Sequence, residues 1–331
     1  MICLGIESTA HTFGISIIDF KNKKIKVLAN IIDNFTTEKS GLIPVKVADH
    51  HVEVCDSTLL KALETANIKI KDVNLISYSK SPGMGHCLRI GAMFARSLAN
   101  IYNKPVVGVN HCIAHLEIGR ILTKARDPIL LYVSGVNTQV IAFEGGKYRI
   151  FGETLDIGVG NFLDSFARYI GLGFPGGPKI EQLAKKSKRY VKLPYIVKGM
   201  DISLSGILTN LKHKYKIENY KEEDLAYSMQ ETAFAMLVEI SERALAHCNK
   251  KELLLGGGVA CNQRLQEMAG QMCKDRGAKL FVPEKQFLID NAAMIAWLGI
   301  ITFKANKKGD NLIKAHIAPY ERTDDVKVTW R

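Results

Sequence analysis

Two stretches decide the fold: ICLGIESTAHTFGISIID (residues 2–19) and ILLYVSGVNTQVIAF (residues 129–143). Each reads as an apolar strand, a short turn of small and hydroxyl-bearing residues, and a second apolar strand. A third strand follows each hairpin, IKVLANII in the first half and YRIFGETL in the second. Helices and strands then alternate. The first half predicts a helix over 48–67, the strand VNLISYS, the turn SPGMG, a helix over 87–102 and the strand PVVGV. The second predicts a helix near 161–170, a long amphipathic helix over 222–248, the strand ELLLGG, a helix over 262–276, the strand AKLFVP and a helix over 291–303. The architecture is duplicated, while the sequence is not closely so. Two α/β lobes with facing hairpins enclose a cleft, and small turn residues let backbone N–H groups approach a phosphate.

The pattern predicts an α/β chain of the actin-like ATPase and sugar-kinase (ASKHA) type. Its two duplicated lobes lie around a nucleotide cleft: a first lobe over 1–125, a second over 126–304 and a tail over 305–331. No Walker A motif is present, which disfavours a P-loop fold. A chain of 331 residues, 47% hydrophobic and 24% charged, has room for both cores. No apolar run reaches membrane-spanning length, the start lacks the order of a signal peptide, and seven cysteines without CxxC pairs read as reduced thiols. The expectation is a cytoplasmic protein without a membrane role. Net charge is +12, and residues 185–221, expected to be a basic helical insertion in the second lobe, hold ten Lys or Arg against Asp201 and Glu218. That concentration fits a polyanion surface, or else a solubilising face. Tyr190, Tyr195, Tyr215 and Tyr220 lie within it, placed either to stack on bases or to pack the insertion.

The motif HCIAH (residues 111–115) places two imidazoles four residues apart, on one face of a helix that Asn110 is suited to cap. Such a pair can reach one metal ion, although two ligands do not complete a site. Asp290 precedes the last helix, either as its N-cap or as an oxygen ligand beside the imidazoles, and Tyr132 in the second hairpin is a possible fourth ligand. In LLLGGGVACNQRL (residues 253–265) a triple glycine joins strand to helix, where backbone can lie against a nucleotide with Asn262 at hand, or simply pack closely. The stretch over 153–184 offers Asp156, Asp164 and Glu181 among glycines as acceptors for ribose hydroxyls.

Together these stretches resemble the TsaD family, whose archaeal and eukaryotic members are the catalytic subunit of the KEOPS complex. GIESTAHTFGISI, IPVKVADHH, SPGMGHCLRIG, VGVNHCIAHLE, LYVSGVNTQV, ETLDIGVGNFLDSFAR, GLGFPGGPKIE, LLLGGGVACNQRL, IDNAAMIA and the tail YERTDDVKVTW match it in order along nearly the whole chain. The resemblance implies transfer of a threonylcarbamoyl group from threonylcarbamoyl-AMP to N6 of the adenosine 3′ of the anticodon in tRNAs reading ANN codons. It implies one divalent metal, iron or zinc, on His111, His115, Tyr132 and Asp290. The donor, or an ATP-like nucleotide in the same cleft, falls on Tyr132, Val133, Ser134, Gly135, Val136, Asp164, Gly177, Glu181 and Asn262. Glu7, His11 and Asp164 are the candidates for a general base. Lys185, Lys186, Lys188 and Arg189 are candidates for contacting tRNA. Expected partners, besides tRNA, are a small atypical kinase and a small dimerising subunit of KEOPS; the sequence stops just past the family's tail, so no fused kinase is expected. Val136 stands where the family has glycine, and narrows the phosphate approach unless its φ is negative. Lys46, Cys261 and Ala292 also depart from common residues.

Three rivals are weaker. A zinc peptidase needs HExxH, and position 112 is Cys. An ATPase or sugar kinase shares the fold and differs in product. A non-catalytic scaffold would not need the metal.

Overall fold

In the computed structural model, which describes residues 1–37, 43–310, 312 and 315–331, the repeated pattern becomes two sheets of one topology. In the first, β1 (Ile2–Glu7), β2 (Thr12–Lys21) and β3 (Lys24–Asn34) are antiparallel. Beyond α1 (Pro44–Ala66), β4 (Leu75–Ser81) joins β1 in parallel, and beyond α2 (Gly85–Ile101), β5 (Val106–Asn110) joins β4 in parallel. The strand order is therefore β3-β2-β1-β4-β5. α1 starts earlier than the predicted 48 because Pro44, whose ring presets φ, opens it.

α3 (His111–Thr123) leads to the second sheet. There β6 (Ile129–Val133), β7 (Thr138–Glu144) and β8 (Lys147–Glu153) repeat the antiparallel set. Next come α4 (Val159–Tyr169), α5 (Gly177–Ala184), a ribbon of β9 (Val197–Lys198) and β10 (Asp201–Ile202), α6 (Ser205–Lys216) and α7 (Glu222–His247). β11 (Glu252–Gly256), α8 (Gln263–Asp275) and β12 (Lys279–Phe281) complete the order β12-β11-β6-β7-β8. The short α9 (Lys285–Leu288) and α10 (Ala292–Asn306) follow. The helical insertion expected over 185–221 is helical only in α6, and the sequence reading missed α5 and the ribbon: they are short, and α5 begins on Gly-Pro.

Alternation along the strands sorts the core. Ile129, Leu131 and Val133 of β6 face α4, α7 and α8, whereas Leu130 and Tyr132 join α3 and α10 in a separate cluster between the sheets. α1 and α2 cover the outer face of the first sheet with Leu4, Ile6 and Ile15. α10 closes the segment 126–304 in sequence, yet it lies on β1, β2 and β4 of the first sheet. Gly5 makes that possible: a Cβ there would sit 2.3 Å from the Ala292 carbonyl oxygen and 2.6 Å from the Ala296 nitrogen. α3 and α10 are thus sandwiched between the lobes, buried on all sides over His111–Gly119 and Ala292–Ile300, as the almost wholly apolar start of α10 requires.

Candidate metal centre and nucleotide cleft

β5 runs directly into α3, and Asn110 caps the junction, its Oδ1 accepting from the Cys112 and Ile113 amides at 3.0 and 3.2 Å. The cap fixes the first turn and aims His111 and His115 toward Tyr132, with ring centroids 4.8 Å apart for the two imidazoles and 5.0 Å between His115 and Tyr132. α10 supplies the carboxylate. Asn291, not Asp290, is its N-cap, accepting from the Met294 amide at 3.1 Å, so Asp290 is left free one residue earlier. Asp290 Oδ1 lies 3.3 Å from both His111 Nε2 and His115 Nε2, and Tyr132 Oη lies 3.1 Å from His111 Nε2. The sequence-predicted His111, His115, Tyr132 and Asp290 therefore converge, although they come from α3, β6 and the approach to α10.

The donor set suits a cation. Glu7 Oε2 meets His111 Nδ1 at 2.9 Å, which holds a proton on Nδ1 and turns Nε2 toward the centre. Glu7 is itself fully buried, and its Oε1 accepts from the Thr9 amide at 2.6 Å. Burial disfavours a charged His111, but the Tyr132, Glu7 and Asp290 oxygens outweigh it and lift its pKa well above the ordinary value. Burial lowers that of His115, and its Nδ1 has no partner among the described residues. Burial also works against the Asp290 carboxylate, yet the His111 charge and both imidazole hydrogen bonds hold it well below the usual range. Two imidazole nitrogens, a carboxylate and a phenol around one point, buried and charge-unbalanced, are what a divalent metal requires. Cys112, beside them, is buried with its thiol pushed up to about 11 by desolvation. It offers no base of the kind a peptidase uses.

The second hairpin forms the phosphate side. Ser134 and Asn137 close its turn, the Ser134 amide donating to the Asn137 carbonyl at 2.8 Å, which leaves the Gly135 and Val136 amides without a partner in the turn. Val136 is exposed and its φ is not positive, so the β-branched residue is accommodated. Gly158 and Gly160 back the turn at distances a Cβ would violate, 2.2 Å from the Val136 oxygen and 2.6 Å from Gly135 Cα. Gly257, at φ +91, presses on Val133 and Ser134, while a Cβ at Gly258 would meet nothing within 4 Å. The triple glycine therefore serves close packing at one residue and an open face at the next.

Around this cleft the polar residues are more tied down than their sequence suggests. Asp164 Oδ1 accepts from the Gly176 and Gly177 amides at 2.7 and 3.2 Å, fixing the loop into α5, and burial raises its pKa. Asn262 caps α8, accepting from the Arg264 amide at 2.9 Å and donating to Gln230 at 2.6 Å. Glu181 accepts from the Gln263 amide at 3.2 Å. Asp156, read as a ribose acceptor, instead gathers Ser203, Leu204 and Ser205 at the start of α6; these bonds overcome burial and hold its pKa well below the carboxylate range. His11 lies edge-on to Phe174 at 5.9 Å, half-buried; its carbonyl accepts from the Phe35 amide at 2.9 Å, while its ring makes no hydrogen bond among the described residues. Thr9 and Gln230, which no motif reading singled out, hold Glu7 and Asn262; only the spacing Glu7–Thr9 in the hairpin could have pointed to the first.

In the basic segment Lys185 pairs with Glu181 at 3.3 Å and Arg189 with Asp224 at 3.6 Å, whereas Lys186 and Lys188 are exposed. The tyrosines favour packing: Tyr190 bonds Thr232 at 3.0 Å, Tyr215 bonds Glu222 at 2.9 Å, and Lys214 covers Tyr220. The seven cysteines are unpaired, and among the described residues no helix is long and apolar enough to cross a membrane.

A family model described as TsaD, tRNA N6-adenosine threonylcarbamoyltransferase, matches residues 26–297. A tRNA N6-adenosine threonylcarbamoyltransferase of Thermococcus kodakarensis is 55% identical over 333 residues, covering 100% of both chains. Among solved structures, full-length HypF in its phosphate- and nucleotide-bound form matches 92% of this chain and 55% of its own with a TM-score of 0.63 at 12% identity. The activator of 2-hydroxyisocaproyl-CoA dehydratase from Clostridium difficile, with bound ADPNP, matches 93% and 97% with a TM-score of 0.56 at 13% identity. At such identities these two speak for the fold alone, and that fold is the ASKHA class.

Proposed function

Because the chain belongs to the TsaD family, the tRNA N6-adenosine threonylcarbamoyltransferases, we propose that it moves the threonylcarbamoyl group of threonylcarbamoyl-AMP onto the adenosine 3′ of the anticodon at the centre built by His111, His115 and Asp290. It is a transferase and its substrate is tRNA. The convergence of those three side chains between the lobes is the observation that carries the reading.

His111, His115, Asp290 and Tyr132 would hold iron or zinc, and such an ion would supply Lewis acidity toward the carbamoyl oxygen. The free amides of Gly135 and Val136 cradle the phosphate of the leaving AMP, and the open face at Gly258 takes the adenosine. Asp164 and Glu181 reach the ribose with the oxygens their structural bonds leave over. In the transfer the N6 nitrogen bonds to the carbamoyl carbon, the bond from that carbon to the phosphate oxygen breaks, AMP leaves and the amine loses one proton. Of the three base candidates Glu7 is sealed against His111, and Asp164 holds the loop with Oδ1 and is assigned to the ribose with its other oxygen, so the His11 ring, half-buried and without a hydrogen bond among the described residues, takes the proton. The exposed Lys186 and Lys188 steer tRNA. A cytoplasmic location, and assembly with a small kinase and a small dimerising subunit, follow from the same family reading.

The test is direct. Purified protein, threonylcarbamoyl-AMP and tRNA should yield threonylcarbamoyladenosine on nucleoside analysis. His111→Ala/His115→Ala should lose both bound metal and product, and His11→Ala should slow transfer about 100-fold with metal retained. Normal transfer by the double variant overturns the metal's role.

A further inference from the structure

The tail motif ERTDD (residues 321–325) has no part in the chemistry above, yet it crosses directly behind the metal helix. Upstream it is pinned to the first lobe: the Ala318 amide donates to the Lys80 carbonyl at 2.8 Å and the Gly83 amide to the Pro319 carbonyl at 3.2 Å. Glu321 then receives Lys80 Nζ on Oε1 at 3.0 Å and the Ser81 hydroxyl on Oε2. Ser81 is fully buried, and its Oγ accepts from Asn110 Nδ2 at 3.4 Å. Asn110 is the residue whose other amide atom caps α3. A continuous run of hydrogen bonds thus links the Glu321 carboxylate to the turn that carries His111. The next residues engage the second lobe. Arg322 pairs with Glu153 at 3.1 Å, and buried Thr323 bonds Gln139 at 3.3 Å, the residue opposite Tyr132 in the β6–β7 ladder.

We propose that Glu321 is a positioning residue for the metal centre: through Ser81 and Asn110 it fixes the rotation of the first turn of α3, and so sets how tightly His111 and His115 hold a cation together with Asp290. The proposal rests on the metal reading above. Physically, an Asn side chain can turn its amide over; a carboxylate that makes Ser81 Oγ a committed donor leaves that oxygen's lone pairs to accept from Asn110 Nδ2, which keeps Oδ1 on the helix amides. Without Glu321 the hydroxyl is free to donate to Asn110 instead, and the cap loses its preferred orientation.

The experiment is Co2+ titration of the full chain, followed by the visible ligand-field bands. Glu321→Ala and Ser81→Ala should each raise the Kd for Co2+ about 10-fold and alter the bands, with little change in Tm. The double variant should be no worse than the weaker single, because both break one chain of bonds. Glu321→Gln, whose carbonyl still accepts from Ser81, should recover most of the affinity. Ser81→Ala removes a single oxygen and serves where Glu321→Ala does not fold. Affinity within about twofold of wild type in Ser81→Ala, or no recovery in Glu321→Gln, overturns the proposal. Wild-type protein that binds no Co2+ overturns the metal reading first, and the positioning role with it.

Discussion

Glu7 and His111, 104 residues apart in sequence, face each other at 2.9 Å with both side chains almost entirely shielded from solvent. The first hairpin thereby decides which imidazole nitrogen is offered at the interlobe centre. Glu7→Gln keeps the shape but gives up the charge that secures the Nδ1 proton. Metal affinity should fall by about 10- to 100-fold, measurable by competition with a chromophoric chelator. Unchanged affinity would mean that the tautomer is set elsewhere.

Metal binding should release protons. His111 sits among Tyr132, Glu7 and Asp290 oxygens that raise its pKa well above the usual value despite burial, so the metal-free centre carries a proton there. A cation must displace it. Affinity should therefore drop about tenfold for each pH unit below that pKa, with about one proton released per ion. Calorimetry in buffers of different ionisation enthalpy reads the proton count, and a buffer-independent heat would refute the linkage.

The tRNA contact is expected to be electrostatic and uneven. Lys185 and Arg189 are partly neutralised by Glu181 and Asp224, so Lys186→Glu/Lys188→Glu should account for most of the effect of reversing all four. Binding should weaken and the slope of log K against log salt should flatten by about 2. A slope equal to wild type moves the tRNA platform to another face.

His51 predicts acid sensitivity away from the centre. It is fully buried beside Phe13 and His50; burial first, and the neighbouring His50 second, lower its pKa from 6.5 to about 4. An unfolded chain takes up this proton near pH 6.5 and the folded one only near 4, so the folded state is favoured above that window and loses about 3 kcal/mol as pH falls through it. His51→Gln should flatten the pH dependence of urea unfolding between those limits. An identical profile would assign the acid limb to other groups.

Local pattern made much of this legible. Strand alternation and the Asn110 cap are contained in a few neighbouring residues, which is why both hairpins and α3 could be read directly. The return of α10 to the first sheet was not legible, because it depends on Gly5 meeting Ala292 across most of the chain. Polar residues were harder for a related reason. Asp156, Asp164 and Asn262 all look like ligands for a substrate, and all are partly or wholly consumed by backbone amides whose positions only the fold defines. Asp290 was the reverse: an apparent cap, freed because Asn291 does that work.

The seating of α10 on β1 bears on synthesis at the ribosome. Translation delivers β1 to β5 early, but the part of that sheet under α10, on β1, β2 and β4 above all, stays bare until residues 292–306 have left the exit tunnel. A nascent chain stalled before residue 290 would expose that greasy face and lack the Asp290 carboxylate, so the first sheet cannot be covered ahead of the second half. The group of His111, His115 and Asp290 is therefore complete only near the end of translation.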